Sequence, residues 1–128
     1  MIFSLIDSVG NKFDISRETT SRFTKFDRKY KRLSKHYTSS VGETITYGQR
    51  SSVETIDFTI ECDKSGYDTL KFVLQDVYEY TIKYSFDDTK IFEEITGKKY
   101  FLSSDLTENK IYNADDGLYA ISGTFEEV

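Results

Sequence analysis

The chain has 128 residues and a mass of 14.9 kDa, the size of a single domain with one hydrophobic core. One cysteine excludes an internal disulfide, and no apolar run is long enough for a membrane span or the core of a signal peptide. The net charge of −5 is unevenly spread: residues 1–50 carry ten Lys/Arg and five Asp/Glu, and residues 51–128 carry seven and seventeen. We therefore expect a protein made in the cytoplasm, with no membrane insertion.

The apolar residues are mostly aromatic and β-branched, which favours a sheet. Hydrophobic residues make up 38% of the chain and aromatic residues 16%, with ten Tyr, ten Phe and no Trp. Residues of this kind pack well on the pleated surface of a sheet. The chain has no proline, so one of the usual protections of exposed sheet edges is missing.

The first fifty residues divide into a hairpin and a long polar stretch. Phe3 and Leu5 alternate with their neighbours, residues 7–11 have turn composition, and the alternation resumes after them, which predicts a hairpin of strands 2–6 and 12–16. Residues 17–50 are polar and follow neither a helical nor a strand period. This stretch is too long for an ordinary connection, so we predict a projecting arm, a long hairpin or a mobile loop.

The clearest strand is followed by the one predicted helix. In Val53–Cys62, apolar residues at alternate positions face one way and polar residues face the other, as in a half-buried strand. Ser65 is a plausible N-cap, and Asp68 is then placed in the first turn of a helix. Apolar residues at helical spacing predict a short amphipathic helix over about 66–77.

The remaining chain reads as a series of short strands. Asp116-Gly117 favours a tight hairpin turn, and Gly123 marks a gap or a bulge in the last strand. Strands are predicted at Tyr80–Phe86, Ile91–Ile95, Lys99–Ser103, Ile111-Tyr112 and Leu118–Glu127. The prediction is a single mainly β domain over 1–128: an antiparallel β-sandwich or partly closed barrel of six to eight strands, with one short α-helix and a polar arm at about 17–50.

The sequence offers little for catalysis or for a metal. His36 and Cys62 are the single residues of their types, so neither a Cys-His pair with an orienting group nor a usual zinc site can be assembled within one chain. Residues 113–117 partly resemble a calcium-binding loop, but Thr124 stands where that loop needs its final glutamate. We predict no enzyme activity, no metal and no cofactor.

The strongest feature is a run of basic residues interleaved with aromatic ones. This composition is typical of a platform for single-stranded nucleic acid, but a solvated arm whose charge is met by acidic protein surface explains it as well. The basic residues are Arg22, Lys25, Arg28, Lys29, Lys31, Arg32 and Lys35, interleaved with Phe23, Phe26, Tyr30 and Tyr37. The candidate acidic partners are Asp87, Asp88, Glu93, Glu94, Asp115, Asp116, Glu126 and Glu127.

In layout, the chain resembles the small β-sandwich proteins of bacteriophage tails and related contractile injection machines. These are tail-tube proteins, the ring-forming domain of distal tail proteins, and baseplate adaptors. The resemblance covers nearly the whole chain through four stretches: the opening hairpin Phe3–Ile15, the end of the polar arm Gly42–Arg50, the strand Val53–Cys62 with the helix Gly66–Val77, and the last strand Gly117–Glu126.

The resemblance implies a structural subunit of a virion tail that assembles into a ring or tube, often with six subunits. The implied partners are copies of the chain itself and other tail or baseplate proteins, while nucleic acid would only pass through the lumen. A basic arm and an acidic body supply the two different patches that head-to-tail contact needs. Two alternatives stay open: a small nucleic-acid-binding β domain that uses the basic-aromatic arm, and a carbohydrate- or receptor-binding sandwich.

Overall fold

A computed structural model describes residues 1–31, 35–38, 44–47, 53–75, 79–111 and 118–128, with the backbone alone at 31, 35–38, 44–47, 110 and 111. In this part of the chain lie ten strands, one α-helix and a 3₁₀ turn. They are β1 (Ile2–Ile6), β2 (Lys12–Ile15), β3 (Arg22–Lys31), β4 (Lys35–Thr38), β5 (Thr44–Tyr47), β6 (Val53–Cys62), α1 (Lys64–Val73), β7 (Tyr80–Ser85), the 3₁₀ turn Phe92–Glu94, β8 (Lys98–Leu102), β9 (Thr107–Ile111) and β10 (Leu118–Glu127).

Eight of the strands form one antiparallel sheet, which confirms the predicted fold class. The order is β2-β1-β7-β8-β10-β6-β3, and β10 pairs with β9 along its first half and with β8 near its end. The path of strands does not close into a barrel, because β2 and β3 stand at its two ends. The architecture is that of a β-sandwich or a partly open barrel.

The core fills the space between the two halves of the curled sheet. The Phe58 ring of β6 stacks on Phe125 of β10 at 4.8 Å, and Tyr80 of β7 meets the same ring edge-on. Phe3 of β1 contacts Phe23 of β3 at 4.9 Å between ring centres, although no backbone pairing joins these two strands. The aromatic residues therefore bring the two ends of the sheet together.

The helix is present, but it begins and ends earlier than predicted. Its N-cap is Asp63, whose carboxylate accepts a hydrogen bond from the Gly66 backbone N–H at 2.8 Å. The prediction of a Ser65 cap was therefore wrong, and Asp68 lies beyond the first turn. The helix ends at Val73 rather than 77, and residues 76–78 lie outside the described part.

Three local predictions need correction or cannot be assessed. The predicted strand at 91–95 is a 3₁₀ turn over Phe92–Glu94. Gly123 lies in an unbroken register between β10 and β6, so there is no bulge there; a Cβ at this position would lie 3.0 Å from the Leu106 side chain and 3.2 Å from the Phe58 ring. The predicted tight turn at 116–117 lies outside the described residues.

The first part of the predicted arm is built into the sheet. Over Arg22–Lys31 the chain forms β3, which pairs with β6 along its full length, from Arg22 opposite Glu61 to Lys31 opposite Val53. Between these strands in the sequence, β4 and β5 pair with each other. Residues 22–31 therefore belong to the sheet and do not form a projecting arm, and the segments that connect β3, β4, β5 and β6 lie outside the described residues. In the described residues, no helix has the length and apolarity that a membrane crossing requires.

Candidate assembly interface

β3 is the longest strand of the main sheet that pairs on one side only. Within the described residues β6 is its one partner, so the N–H and C=O groups along its other edge face no strand. The opposite end of the sheet is different, since β2 has four residues and lies against α1. Short or covered edges resist unwanted pairing, whereas β3 is long and open, and only its basic side chains and its bulge limit indiscriminate pairing.

The outward face of β3 carries a row of exposed basic side chains. Arg22 contacts Glu61 at 3.3 Å and Lys29 contacts Asp57 at 3.4 Å, so both are paired with carboxylates of β6. Lys25 lies 3.9 Å from Asp27 of its own strand. The Arg22 and Lys29 side chains keep 73% and 70% of their surface exposed. Exposed pairs of this kind contribute about 0–1 kcal/mol each, so these cations remain available to a partner.

The inward face of β3 is aromatic and packs in the core. The ring of Phe23 contacts Phe26 edge-on at 5.1 Å, and Phe26 contacts Tyr84 of β7 at 5.2 Å. A bulge between Phe23 and Lys25 keeps both Phe residues on the same side. The aromatic and basic residues that alternate in the sequence are thus divided between two faces of one strand.

Arg28 lies on the aromatic side, where the sandwich opens to solvent. Its guanidinium donates a hydrogen bond to the Tyr84 hydroxyl at 2.9 Å. It also lies 5.5 to 5.9 Å from the ring centres of Tyr30, Tyr84 and Phe86, within the range of cation–π attraction. Tyr30 and Phe86 are 57% and 61% exposed. We call the opening formed by these residues, together with Glu54, Thr96, Lys98 and Tyr100, the mouth.

A buried carboxylate lies at the base of the mouth. The Glu54 side chain is 1% exposed; it accepts a hydrogen bond from the Tyr84 hydroxyl at 2.5 Å and lies 3.7 Å from the Lys98 ammonium. Burial and the hydrogen bond to Glu54 raise the pKa of Tyr84 to about 12. Sequence reasoning missed Glu54, although the alternation that places Ile56 inward also places Glu54 inward.

Tyr100 completes the base of the mouth without a hydrogen bond of its own. Its hydroxyl is buried and has no partner of good geometry in the described residues. Burial, with the nearby Glu54 charge as a second cause, raises the pKa of Tyr100 well above its usual range. A cavity of about 200 Å³ lies here, lined by Arg28, Glu54, Ile82, Tyr84, Thr96, Lys98 and Tyr100.

Four of the predicted acidic partners lie in one segment, 87–95, which we call the acidic segment, while Glu126 and Glu127 lie at the end of β10. Asp87 accepts hydrogen bonds from the backbone and hydroxyl of Thr89, which lower its pKa. Asp88 pairs with the N-terminal ammonium. Glu93 and Glu94 lie on the exposed 3₁₀ turn and form no hydrogen bond or ion pair with a described side chain, and Glu93 lines a cavity with Arg17 and Lys90.

Among the side chains that the structure describes, the predicted basic residues do not pair with the predicted acidic ones. In the described part, Arg22, Lys25, Arg28 and Lys29 form no ion pair with the acidic segment. The side chains of Lys31 and Lys35 are not described, and Arg32, Asp115 and Asp116 lie outside the described residues. The in-chain partners are Asp57 and Glu61, which sequence reasoning missed because the register of β3 and β6 has no local signal.

The cysteine has the surroundings of a structural residue. Cys62 is buried on the inward side of β6, and burial raises the pKa of its thiol to about 11. Thiols with a raised pKa are poor nucleophiles at neutral pH. Among the described residues, no group of three or more His, Cys, Asp or Glu is placed to hold a metal ion.

Comparison with known proteins adds no family. No protein-family model matches the sequence, and no curated protein is significantly similar to it. The resemblance to tail proteins therefore depends only on the order of the elements and on their residue composition.

Proposed function

We propose that the protein is a non-enzymatic structural subunit that associates head-to-tail with copies of itself, as a component of a phage tail or tail-like particle. The observation that supports this most is β3, a ten-residue strand with an open edge and an exposed basic face. Strand pairing at such an edge satisfies the backbone groups of two subunits at once. The resemblance in layout supplies the biological setting.

The charges favour contact between unlike surfaces. β3 has five basic residues and one acidic residue, so two copies of it repel each other. The acidic segment has four acidic residues and one basic residue. A basic strand of one subunit and an acidic segment of the next form a heterologous interface, which produces rings or open filaments. Two β3 edges facing each other are disfavoured.

Exposed apolar side chains supply the binding energy that surface charges lack. Tyr30 and Phe86 at the mouth, and Ile91 in the acidic segment, are each more than half exposed. Burial of apolar surface contributes roughly 25 cal/mol per Å², whereas charges mainly set orientation and the rate of encounter. We expect these three side chains to lie at the centre of the interface.

Neutralising the outward face of β3 tests the proposal. The variant Arg22→Gln, Lys25→Gln, Lys29→Gln removes three positive charges, and it avoids placing glutamates opposite Glu61 and Asp57. We expect it to stay folded by circular dichroism and to lose the oligomer seen by light scattering.

The matched control removes three positive charges elsewhere: Lys12→Gln, Lys64→Gln, Lys99→Gln, all exposed residues. It is expected to assemble like the wild type. The proposal is wrong if the β3 variant and the control have the same mass as the wild type, or if the wild type is monomeric at millimolar concentration.

Binding of single-stranded nucleic acid is the second candidate, and the mouth is the feature that favours it. Tyr30 and Phe86 are exposed rings beside Arg28, the combination on which bases stack. Because Phe23 and Phe26 pack against the core, fewer exposed rings are available for base stacking than the sequence predicts. Steep loss of single-stranded DNA binding with salt, by a protein that stays monomeric, supports this candidate instead.

A further inference from the structure

The mouth has more hydrogen-bond donors than its own acceptors use. Arg28 donates one N–H to the Tyr84 hydroxyl, and its other N–H groups have no described hydrogen-bond partner. Lys98 is 58% exposed and lies at 3.7 and 4.0 Å from Glu54 and Glu127, which are long ion pairs. The charged residues that line the cavity are two cations and one carboxylate, so the lining has a net positive charge.

A buried hydroxyl at the base of the cavity is a second observation, beside the positive lining, that points to a binding site. Glu54 is already held by Tyr84 and Lys98, whereas the Tyr100 hydroxyl is buried beside Glu54 without a hydrogen bond of good geometry. Burying a hydroxyl without a hydrogen bond is unfavourable, and native proteins usually satisfy such groups. A group that enters the cavity and accepts hydrogen bonds would satisfy Tyr100 and the cations above it.

We infer that the mouth is a binding site for a carboxylate, donated by the acidic segment of a neighbouring copy. A carboxylate has the charge that the lining lacks, accepts several hydrogen bonds, and pairs with a guanidinium in a two-bond geometry. A glutamate side chain is small enough for a cavity of about 200 Å³. This inference rests on the proposed head-to-tail association and names one contact within it.

The structure also indicates which carboxylates are available. Asp87 binds Thr89 and Asp88 binds the N-terminal ammonium, so both are occupied within the chain. Glu93 and Glu94 lie on an exposed turn, and their side chains form no hydrogen bond or ion pair with a described residue, although Glu93 shares a cavity with Arg17 and Lys90. Ile91, 56% exposed, lies two residues before Glu93. Its contact with the exposed mouth rings would add apolar burial next to the ion pair.

Complementation between two variants tests this contact. The first variant, Glu93→Gln with Glu94→Gln, keeps the mouth and lacks the carboxylates. The second, Arg28→Gln, keeps the carboxylates and lacks the main cation of the mouth; Lys98 is retained because it is also the counter-ion of Glu54. We expect each variant alone to raise the dissociation constant for self-association about ten-fold or more.

The mixture is the decisive sample. Each copy of the first variant still offers a mouth and each copy of the second still offers glutamates, so sedimentation velocity should show a one-to-one complex that neither forms alone. Lys99→Gln is the control, since Lys99 adjoins Lys98 but does not line the cavity; it should associate like the wild type. Circular dichroism checks that every variant is folded.

Three results would overturn the inference. If both variants associate like the wild type, the contact is wrong and the proposed assembly stands. If the wild type is monomeric at millimolar concentration, both fail. If short single-stranded DNA binds to a monomeric wild type and Arg28→Gln weakens that binding, the cavity takes a phosphate rather than a carboxylate.

Discussion

Both faces of β3 carry large side chains, but those of the inward face pack against the core, whereas those of the outward face are exposed to solvent. On the inward face, Phe23 and Phe26 contact Phe3 and Tyr84 and belong to the packed core. On the outward face, Lys25 and Lys29 extend into solvent with weak ion pairs. A single strand thus separates residues that hold the fold from residues that are free to meet a partner.

This separation changes how the interleaved sequence is interpreted. Basic and aromatic residues that alternate in an extended arm lie along one ribbon and serve together as a platform. In a strand with one buried face, the same alternation sends them to opposite sides. Arg28 is the exception, since it lies on the aromatic side at the mouth. Mutations on the two faces should therefore affect different measurements.

The largest effect on stability is expected on the inward face. Phe23→Ala removes a half-buried ring that touches Phe3 and Phe26. We expect it to lower the free energy of unfolding by about 2–3 kcal/mol, below the usual range for a fully buried Phe. Lys25→Ala, two residues along, should change it by less than ~0.5 kcal/mol. Urea denaturation measures both, and equal losses would contradict the division into two faces.

The next effect separates the two tyrosines of the mouth. Tyr84→Phe removes the donor that satisfies buried Glu54, and we expect a loss of about 1–3 kcal/mol in the free energy of unfolding. Tyr100→Phe removes a buried hydroxyl that lies beside Glu54 without a hydrogen bond of good geometry, so its cost should be smaller than that of Tyr84→Phe. Thermal denaturation of the pair decides: a larger loss for Tyr100→Phe would mean that its hydroxyl is satisfied.

Asp57, which lies on β6 and pairs with Lys29 of β3, makes a small, pH-dependent contribution to the free energy of unfolding. A hydrogen bond from Thr124, followed by the contact with Lys29, lowers the pKa of Asp57 in the folded state. A carboxyl with a lowered folded pKa stabilises the protein above its unfolded pKa of about 4, and this contribution is lost as the pH falls through the folded pKa. Asp57→Asn should therefore flatten the loss of stability below about pH 4 by up to ~1 kcal/mol. Identical acid denaturation curves would contradict this.

The smallest effect on stability is expected at Arg22, an exposed cation on the outward face of β3. Arg22→Gln breaks one ion pair with Glu61 at the surface, so the free energy of unfolding should change by less than ~0.5 kcal/mol. We expect self-association to weaken measurably in the same sample. A loss of stability above about 1 kcal/mol would place Arg22 with the residues that hold the fold.

The sequence predicts the fold where one local pattern is strong. Period-2 alternation located β6 at 53–62 and β10 at 118–127, the bounds the structure has. The same period identifies Glu54 as inward, but a buried carboxylate needs the phenol of Tyr84, thirty residues away, to be tolerated. Local patterns therefore predict which face of a strand a residue lies on. Contacts with residues distant in the sequence determine whether a charged side chain is stable when it is buried there.

The errors arise where two local signals compete or where pairing decides. Asp63 and Ser65 are both good caps, and the structure uses Asp63, which also binds the Thr20 hydroxyl at 3.0 Å. The alternation in 91–95 is weak, and the chain forms a 3₁₀ turn there. β3 was hidden because its bulge breaks the period and its outward face is basic. Its place in the sheet depends on the register with β6, which has no signature within 17–50.

Hydrogen exchange at β3, followed as a function of protein concentration, reports whether a neighbouring copy covers the open edge. We predict that amides in 22–31 exchange more slowly at concentrations where the mass has risen, while amides of β1 change little. If exchange at 22–31 is the same before and after association, the subunits meet through another surface and the proposed contact at β3 is wrong.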